Sequence, residues 1–304
     1  MEGGLPAKYR AEEELERQRR THDSLISEGL SVISDSYLDV FERRCREAGV
    51  PFERKSMEGR NFRVLVEDIE RTGYDLVVLG DLGLGAVKDS QIGSVCERVV
   101  RRIRTDVLVV KSRPPSCLHR GRRGGEIGGG KIIVAIDGSA YAFGGLKLAL
   151  ALGGALEAEV EVISAFDPYF HTTAFKGLAG VLSDEAGDRF RFKEQEKVHD
   201  EIIDLGMAKI YQGHLDLARR IAEENGAEVK TALLSGKPFE QILHYVKSQN
   251  PWLLVLGRIG VHSEPDMDIG STTENLLRLV GCHVLISSTL FVPPPEPAEA
   301  RRGL

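Results

Sequence analysis

A doubly wound α/β architecture with parallel sheets, built twice in tandem with the first unit incomplete, is the fold class that this 304-residue sequence predicts. Three observations predict it. From Lys131 onward, short apolar runs alternate with segments of helical spacing, the pattern of a parallel sheet buried between helices. The chain also matches itself: residues 14–110 align with 191–287 without a gap, and about a quarter of the paired positions are identical. Glycine is abundant at 33 residues while aromatics make up 6%, which suits tight strand-to-helix turns better than an aromatic-rich sandwich.

The second copy is read first because it is complete. Lys131 to Ile136 is a continuous apolar strand that stops at Asp137-Gly138-Ser139, and Ala140 to Leu152 has helical spacing. Val160 to Ala165 is a second strand, followed by a long loop through Pro168 to Gly187 and a helix from about Phe190 to Asn225. A strand at Val229 to Leu234 precedes a helix at Pro238 to Ser248, whose proline suits a first helical turn. Trp252 to Leu256 is the fourth strand, a helix follows Gly270, and His283 to Ser287 closes the unit.

The first copy repeats only the later elements. Its helices lie near Asp23 to Ala48, Phe62 to Thr72 and Ser94 to Arg104, with strands near Val50 to Lys55, Asp75 to Leu79 and Asp106 to Val110. At the repeat offset Met1 aligns with Leu178, so residues 131–177 have no counterpart. The strand at 50–55 is then expected to lack a neighbour and the strand at 75–79 to expose an edge. The expectation is a natural reading frame that starts upstream by about 50 residues, or another chain that completes the sheet. The organisation predicted is a partial unit over 1–111, a Pro, Gly and Arg-rich linker over 112–130, a complete unit over 131–290 and a disordered Pro-rich tail over 291–304.

Composition limits the partners. A formal net charge of −6 supplies no field for a nucleic-acid backbone, so no nucleic-acid partner is predicted. Cys45, Cys96, Cys117 and Cys282 are widely spaced with no CxxC pair, as in a reduced, cytoplasmic protein. The charged N-terminus and the lack of a long apolar run predict neither leader nor membrane span.

One motif carries chemistry, and it occurs twice. Gly80, Gly83, Gly93, Ser94 and Gly257, Gly260, Gly270, Ser271 share the spacing G-x2-G-x9-G-S, each set following an apolar strand and opening a helix. The first two glycines let backbone approach a phosphate, and the last Gly with Ser presents helix N–H groups whose dipole favours an anion. With VAIDGSA at Val134 to Ala140 and the closing strands Val107 to Val110 and Val284 to Ser287, the sequence resembles the universal stress protein family in a tandem arrangement. The resemblance covers 131–288 fully and about 20–111 in part.

That resemblance implies a five-stranded parallel sheet ordered 3-2-1-4-5, pairing of units or of two chains through their last strands, and ATP, with or without Mg²⁺, across the glycine loop. By it Asp137 stands beside adenine or ribose, with Gly138 and Ser139 in the same turn. Gly257 and Gly260 follow the ribose and phosphates, and Gly270, Ser271 and Thr272 take the phosphate end. Gly80, Gly83, Gly93 and Ser94 are a vestigial counterpart without an Asp137. Glu264, Asp266 and Asp268 are expected to oppose the phosphates and weaken binding.

The remaining features have plainer readings. The pairs His22-Asp23 and His199-Asp200 are helix-surface residues rather than metal ligands, because adjacent helical residues diverge by about 100°. Arg98, Arg101, Arg102 and Arg104 read as a solvated basic face, and no base is arranged for Ser139, so no catalytic residue is assigned. The function predicted is a stress-related, non-catalytic, ATP-binding regulator; the alternative is an interaction scaffold with empty loops.

Overall fold

The computed structural model describes residues 12–83, 85–87, 89–112, 130–168, 204–263 and 266–294. It divides into two compact units, residues 1–64 and 65–304. The predicted linker, long loop and tail, His199-Asp200, Cys117, Lys88 and Glu264 fall wholly or mostly outside the described residues.

The first unit is dominated by α1 (Glu12–Ala48), which begins earlier than the expected Asp23. Gly49 at φ +68 ends it, and the Val50 N–H turns back to the Cys45 carbonyl at 2.8 Å, an arrangement that glycine reaches without a Cβ penalty. The strand expected at Val50 to Lys55 does not form; the segment is irregular and is tied to α1 by Arg54, which pairs with Glu42 and Asp39. The reason is the missing neighbour. In the second copy the equivalent strand hydrogen-bonds to one strand alone, and the described part of the first copy holds no counterpart of that strand.

After α2 (Asn61–Thr72), the second unit contains β1 (Leu76–Gly80), α3 (Ser94–Arg102), β2 (Asp106–Val110), β3 (Lys131–Ile136), α4 (Ala140–Leu156) and β4 (Glu159–Phe166). Then come α5 (Asp204–Glu224), β5 (Lys230–Ser235), α6 (Pro238–Gln249), β6 (Leu253–Gly257), α7 (Ser271–Leu279) and β7 (His283–Ser287). One sheet runs β1-β2-β7-β6-β3-β4-β5. Strands β3 to β7 are mutually parallel in the order 3-2-1-4-5, and β1 and β2 are parallel to each other, as the alternation of strands and helices requires.

Helices α4 and α5 cover one face, burying Ile132, Val134, Phe143, Leu146, Leu215 and Val255 in one apolar cluster. Glycine lets α4 sit close: a Cβ on Gly144 would stand 2.0 Å from the Thr289 carbonyl oxygen. Within the second unit no described helix does the same for that face of β1. Leu76 and Val78 are 45% and 56% exposed, whereas their repeat counterparts Leu253 and Val255 are wholly buried.

The two copies meet where β2 pairs antiparallel with β7, in the register Val107 to Ile286, Leu108 to Leu285 and Val109 to Val284. Leu108 and Leu285 are equivalent in the repeat, so a pseudo-twofold axis passes between them. Contacts away from the axis come in matched pairs. Arg101 pairs with Glu274 while Arg278 pairs with Glu97. The equivalent Leu277 and Val100 carbonyls each accept from a buried cation, Lys111 at 2.6 Å and Arg258 at 2.8 Å, although these two donors are not equivalent in the repeat. The Ser288 N–H donates to Asp106 at 2.6 Å, and the Lys111 N–H donates to His283 Nδ1 at 3.0 Å. This is the geometry of an isologous dimer interface within one polypeptide. Among the described residues no helix is long and apolar enough to cross a membrane.

Candidate functional site

At the carboxyl end of β3, Asp137 ties two loops together. Its Oδ1 accepts the Ser139 N–H at 3.0 Å and its Oδ2 accepts the Val261 N–H at 2.9 Å, joining the β3–α4 turn to the loop after β6. Ser139 then caps α4, accepting the Ala142 N–H at 3.2 Å. Gly138 has φ +90, and His214 on α5 occupies the space a Cβ would need, 2.5 Å from its position.

The three glycines of the second motif serve different ends. A Cβ on Gly257 would lie 2.8 Å from the Ala142 nitrogen, so the close approach of α4 to β6 by itself requires this residue to be small. A Cβ on Gly260 would stand 2.6 Å from Asp137 Oδ2 and break the tie between the loops. Gly270 is the N-cap of α7, its N–H bonded to the Arg258 carbonyl at 2.8 Å, with no side-chain cap on the first turn. Thr273 Oγ1 donates to the Gly257 carbonyl at 2.7 Å and pins that turn to the end of β6.

Together these elements enclose a cleft of about 190 Å³. Its floor is apolar, with Ala135, Ile136, Ala165, Ile242 and Leu256, and its rim is polar, with Ser139, Ser263, Gly270, Ser271 and Thr272. Three helix N-termini, those of α4, α6 and α7, border it. Of the eight residues expected from sequence, seven line the cleft; Gly138 instead packs on His214 behind the turn.

Tyr211 and His262 also line the cleft, and sequence reasoning missed both. The Tyr211 hydroxyl lies 3.5 Å from His262 Nε2, linking α5 to the loop after β6. Tyr211 also packs against Phe166 and edge-on to His214, with ring centroids 5.9 and 5.5 Å apart. Burial raises the Tyr211 pKa, and Asp137 adds to the effect; burial lowers that of His214, with Asp137 opposing.

In the first copy the loop keeps its form: the Gly93 N–H bonds to the Asp81 carbonyl at 2.6 Å, as Gly270 does to Arg258. Yet nothing described presses on Gly80, where an added Cβ would find its nearest neighbour 3.8 Å away, and no described turn of the first copy supplies a second Asp137. Gly83, Gly93 and Ser94 therefore border no equivalent of the α4-bounded cleft.

Two expectations are corrected by the contacts. Asp268 does not face the cleft: its carboxylate is 3.6 Å from Arg104, and its carbonyl accepts from Arg258 and Arg104 at 3.3 and 3.4 Å. Asp266 is exposed and lines no part of the cleft, so the described part of the acidic arm does not oppose an anion there. Arg101 and Arg104 likewise belong to the junction between copies rather than to a solvated basic face. Among the described residues no group of three His, Cys, Asp or Glu side chains is placed to hold a metal ion. His22 and Asp23 are both exposed and 3.7 Å apart.

The family model described as the universal stress protein family matches residues 2–111 and 130–288. The chain is 28% identical over 156 residues to universal stress protein YxiE of Bacillus subtilis, covering 51% of this chain and 97% of that protein. It is 34% identical over 87 residues to universal stress protein MJ0531 of Methanocaldococcus jannaschii, 29% of this chain and 51% of that one. A crystal structure of a universal stress protein from Archaeoglobus fulgidus aligns with a TM-score of 0.51 at 20% identity, covering 83% of this chain and 77% of that one.

Proposed function

The chain belongs to the universal stress protein family, and from that premise we propose that its second copy holds an adenine nucleotide, ATP, in the cleft above β3 and β6, as a non-catalytic, stress-related regulator in the cytoplasm. The observation that carries this reading is the pairing of an apolar floor with the uncapped N-terminus of α7 in one cleft. An apolar floor suits a purine, and backbone N–H groups at a helix N-terminus suit its phosphates. Asp137 Oδ1 and Oδ2 stand at the boundary between them, where ribose hydroxyls have an acceptor in reach. Mg²⁺ would come with the phosphates, since the described residues gather no ligand set of their own. Nothing assigns Ser139 a chemical step: its hydroxyl is engaged as a helix cap.

The test is calorimetry of ATP against the full chain, with and without Mg²⁺, beside analysis of adenine nucleotide released on denaturation. Ser271→Glu supplies the control. Ser271 is exposed at the first turn of α7, where a carboxylate favours the helix and repels phosphate. Binding by the parent and at least tenfold weaker binding by the variant (about 1.4 kcal/mol) is the expected result. Absence of both released nucleotide and binding heat overturns the reading in favour of an interaction scaffold.

A further inference from the structure

The pseudo-twofold junction is filled unequally on its two sides. On one side stand Arg258 and Arg104. Arg258 is wholly buried and bonded to the Val100 carbonyl, and both guanidinium groups donate to the Asp268 carbonyl. On the other side the repeat sets Asp81 in the place of Arg258 and Gly281 in the place of Arg104, so two long side chains are missing. A cavity of about 400 Å³ remains there, a size in the range of small-molecule sites. Asp81, Lys111, Ser112, Val280 and Gly281 contribute to its lining.

Two opposite charges are buried in this cavity wall without meeting. Asp81 and Lys111 directly follow the neighbouring strands β1 and β2, and each is 6% exposed. Each is turned by its own tether. Asp81 Oδ1 accepts the Ser112 N–H at 3.0 Å and the Ser112 hydroxyl, while the Lys111 ammonium donates to the Leu277 carbonyl. Among the described residues Asp81 Oδ2 and two of the three ammonium protons have no partner. Burial lowers the Lys111 pKa and Asp81 opposes the effect, so the two charges sense each other across the space. Arg278 also borders the cavity but is held between Glu97 and Glu274. A buried charge without a partner is costly, and a ligand of one sign would relieve one of these groups while facing the like charge of the other. A ligand carrying both signs relieves both. We propose that this cavity binds a free α-amino acid, its ammonium group on Asp81 Oδ2 and its carboxylate on the Lys111 ammonium. Leu82, Ala86, Val87 and Val280 supply an apolar wall for an aliphatic side chain.

For a ligand of about eight non-hydrogen atoms between two buried charges, a dissociation constant of about 0.1 mM is expected. Thermal unfolding of the full chain is followed with each of the protein α-amino acids at about 10 mM, where such a ligand raises the Tm by roughly 5 °C. Those that do so are titrated by calorimetry. The N-acetyl and amide derivatives of the tightest ligand, each lacking one charge, should bind at least about tenfold more weakly. Asp81→Asn keeps an acceptor for the Ser112 N–H and should cost a similar factor. Gly281→Arg installs the residue that the repeat carries at this place in the other copy, where an added Cβ meets nothing within 4 Å, so the variant keeps the fold and should abolish binding. Failure of every amino acid to raise the Tm, a derivative that binds as tightly as its parent, or undiminished binding by Gly281→Arg overturns the proposal. These titrations contain no nucleotide, so failure here leaves the cleft reading intact.

Discussion

Substituting Gly138 by alanine probes the turn on which the cleft depends. Two costs follow from its geometry. At φ +90 a residue with a Cβ is strained by about 2 kcal/mol. The new methyl would also lie 2.5 Å from both Cε1 and Nε2 of His214, so the ring must retreat by about 1 Å against Tyr211, an overpacking of roughly 1 to 2 kcal/mol. Gly138→Ala should therefore destabilise the second unit by about 3 kcal/mol and lower its Tm by about 10 °C at 2 to 4 °C per kcal/mol. Urea denaturation of the four proteins in a cycle with His214→Ala separates the terms. The ring clash vanishes in the double variant, so Gly138→Ala should cost about 1 to 2 kcal/mol less in that background. A cost below about 1 kcal/mol, or identical costs in both backgrounds, would refute the assignment of Gly138 to a left-handed turn closed by His214.

The repeat supplies its own control for burial: Val255→Ala should cost about 2 kcal/mol and Val78→Ala less than about 0.5, measured as denaturant midpoints, because α4 covers the first site only. Equal costs would show β1 to be covered. His214 and His283 both have pKa values lowered from 6.5, chiefly by burial. The unfolded chain therefore takes up their protons first, and stability is complete above about pH 6.5 and falls as pH drops toward their folded values. His283→Asn, which keeps an acceptor for the Lys111 N–H, should flatten that decline by up to one proton in stability–pH profiles; an unchanged slope would exclude His283 as a source.

How far the sequence disclosed this molecule depends on the range of the interaction concerned. Strand β6, its glycine loop and α7 are local devices, and their residues and order were readable from apolar runs and Gly spacing. Asp137 was readable because the turn it ends is contiguous with β3. Tyr211 and His262 were not, since they meet across 51 residues by packing of α5 over the sheet and carry no shared spacing. The strand expected at 50–55 had the composition but lacked a partner, and pairing overrode propensity. Asp268 was misread for a related reason: its direction is set by Arg104, 164 residues away, on a surface that only the β2–β7 pairing creates.

Arg258 and Asp81 hold equivalent places in the two copies with opposite charge, and this asymmetry is open only to a fused molecule. Arg258 is fully buried, bonded to Val100, Asp268 and Ser288, and burial draws its pKa down to about 10, leaving it a cation at neutral pH. Asp81 instead accepts the Ser112 N–H at 3.0 Å. In an assembly of two identical chains, every codon change at the junction is made twice, and a buried guanidinium would arrive with its duplicate. Covalent linkage makes each change singly. One copy can thereby keep a carboxylate at this place while the other sets a buried guanidinium there, and the cleft's loop is braced, through Arg258 and Asp268, by its neighbour.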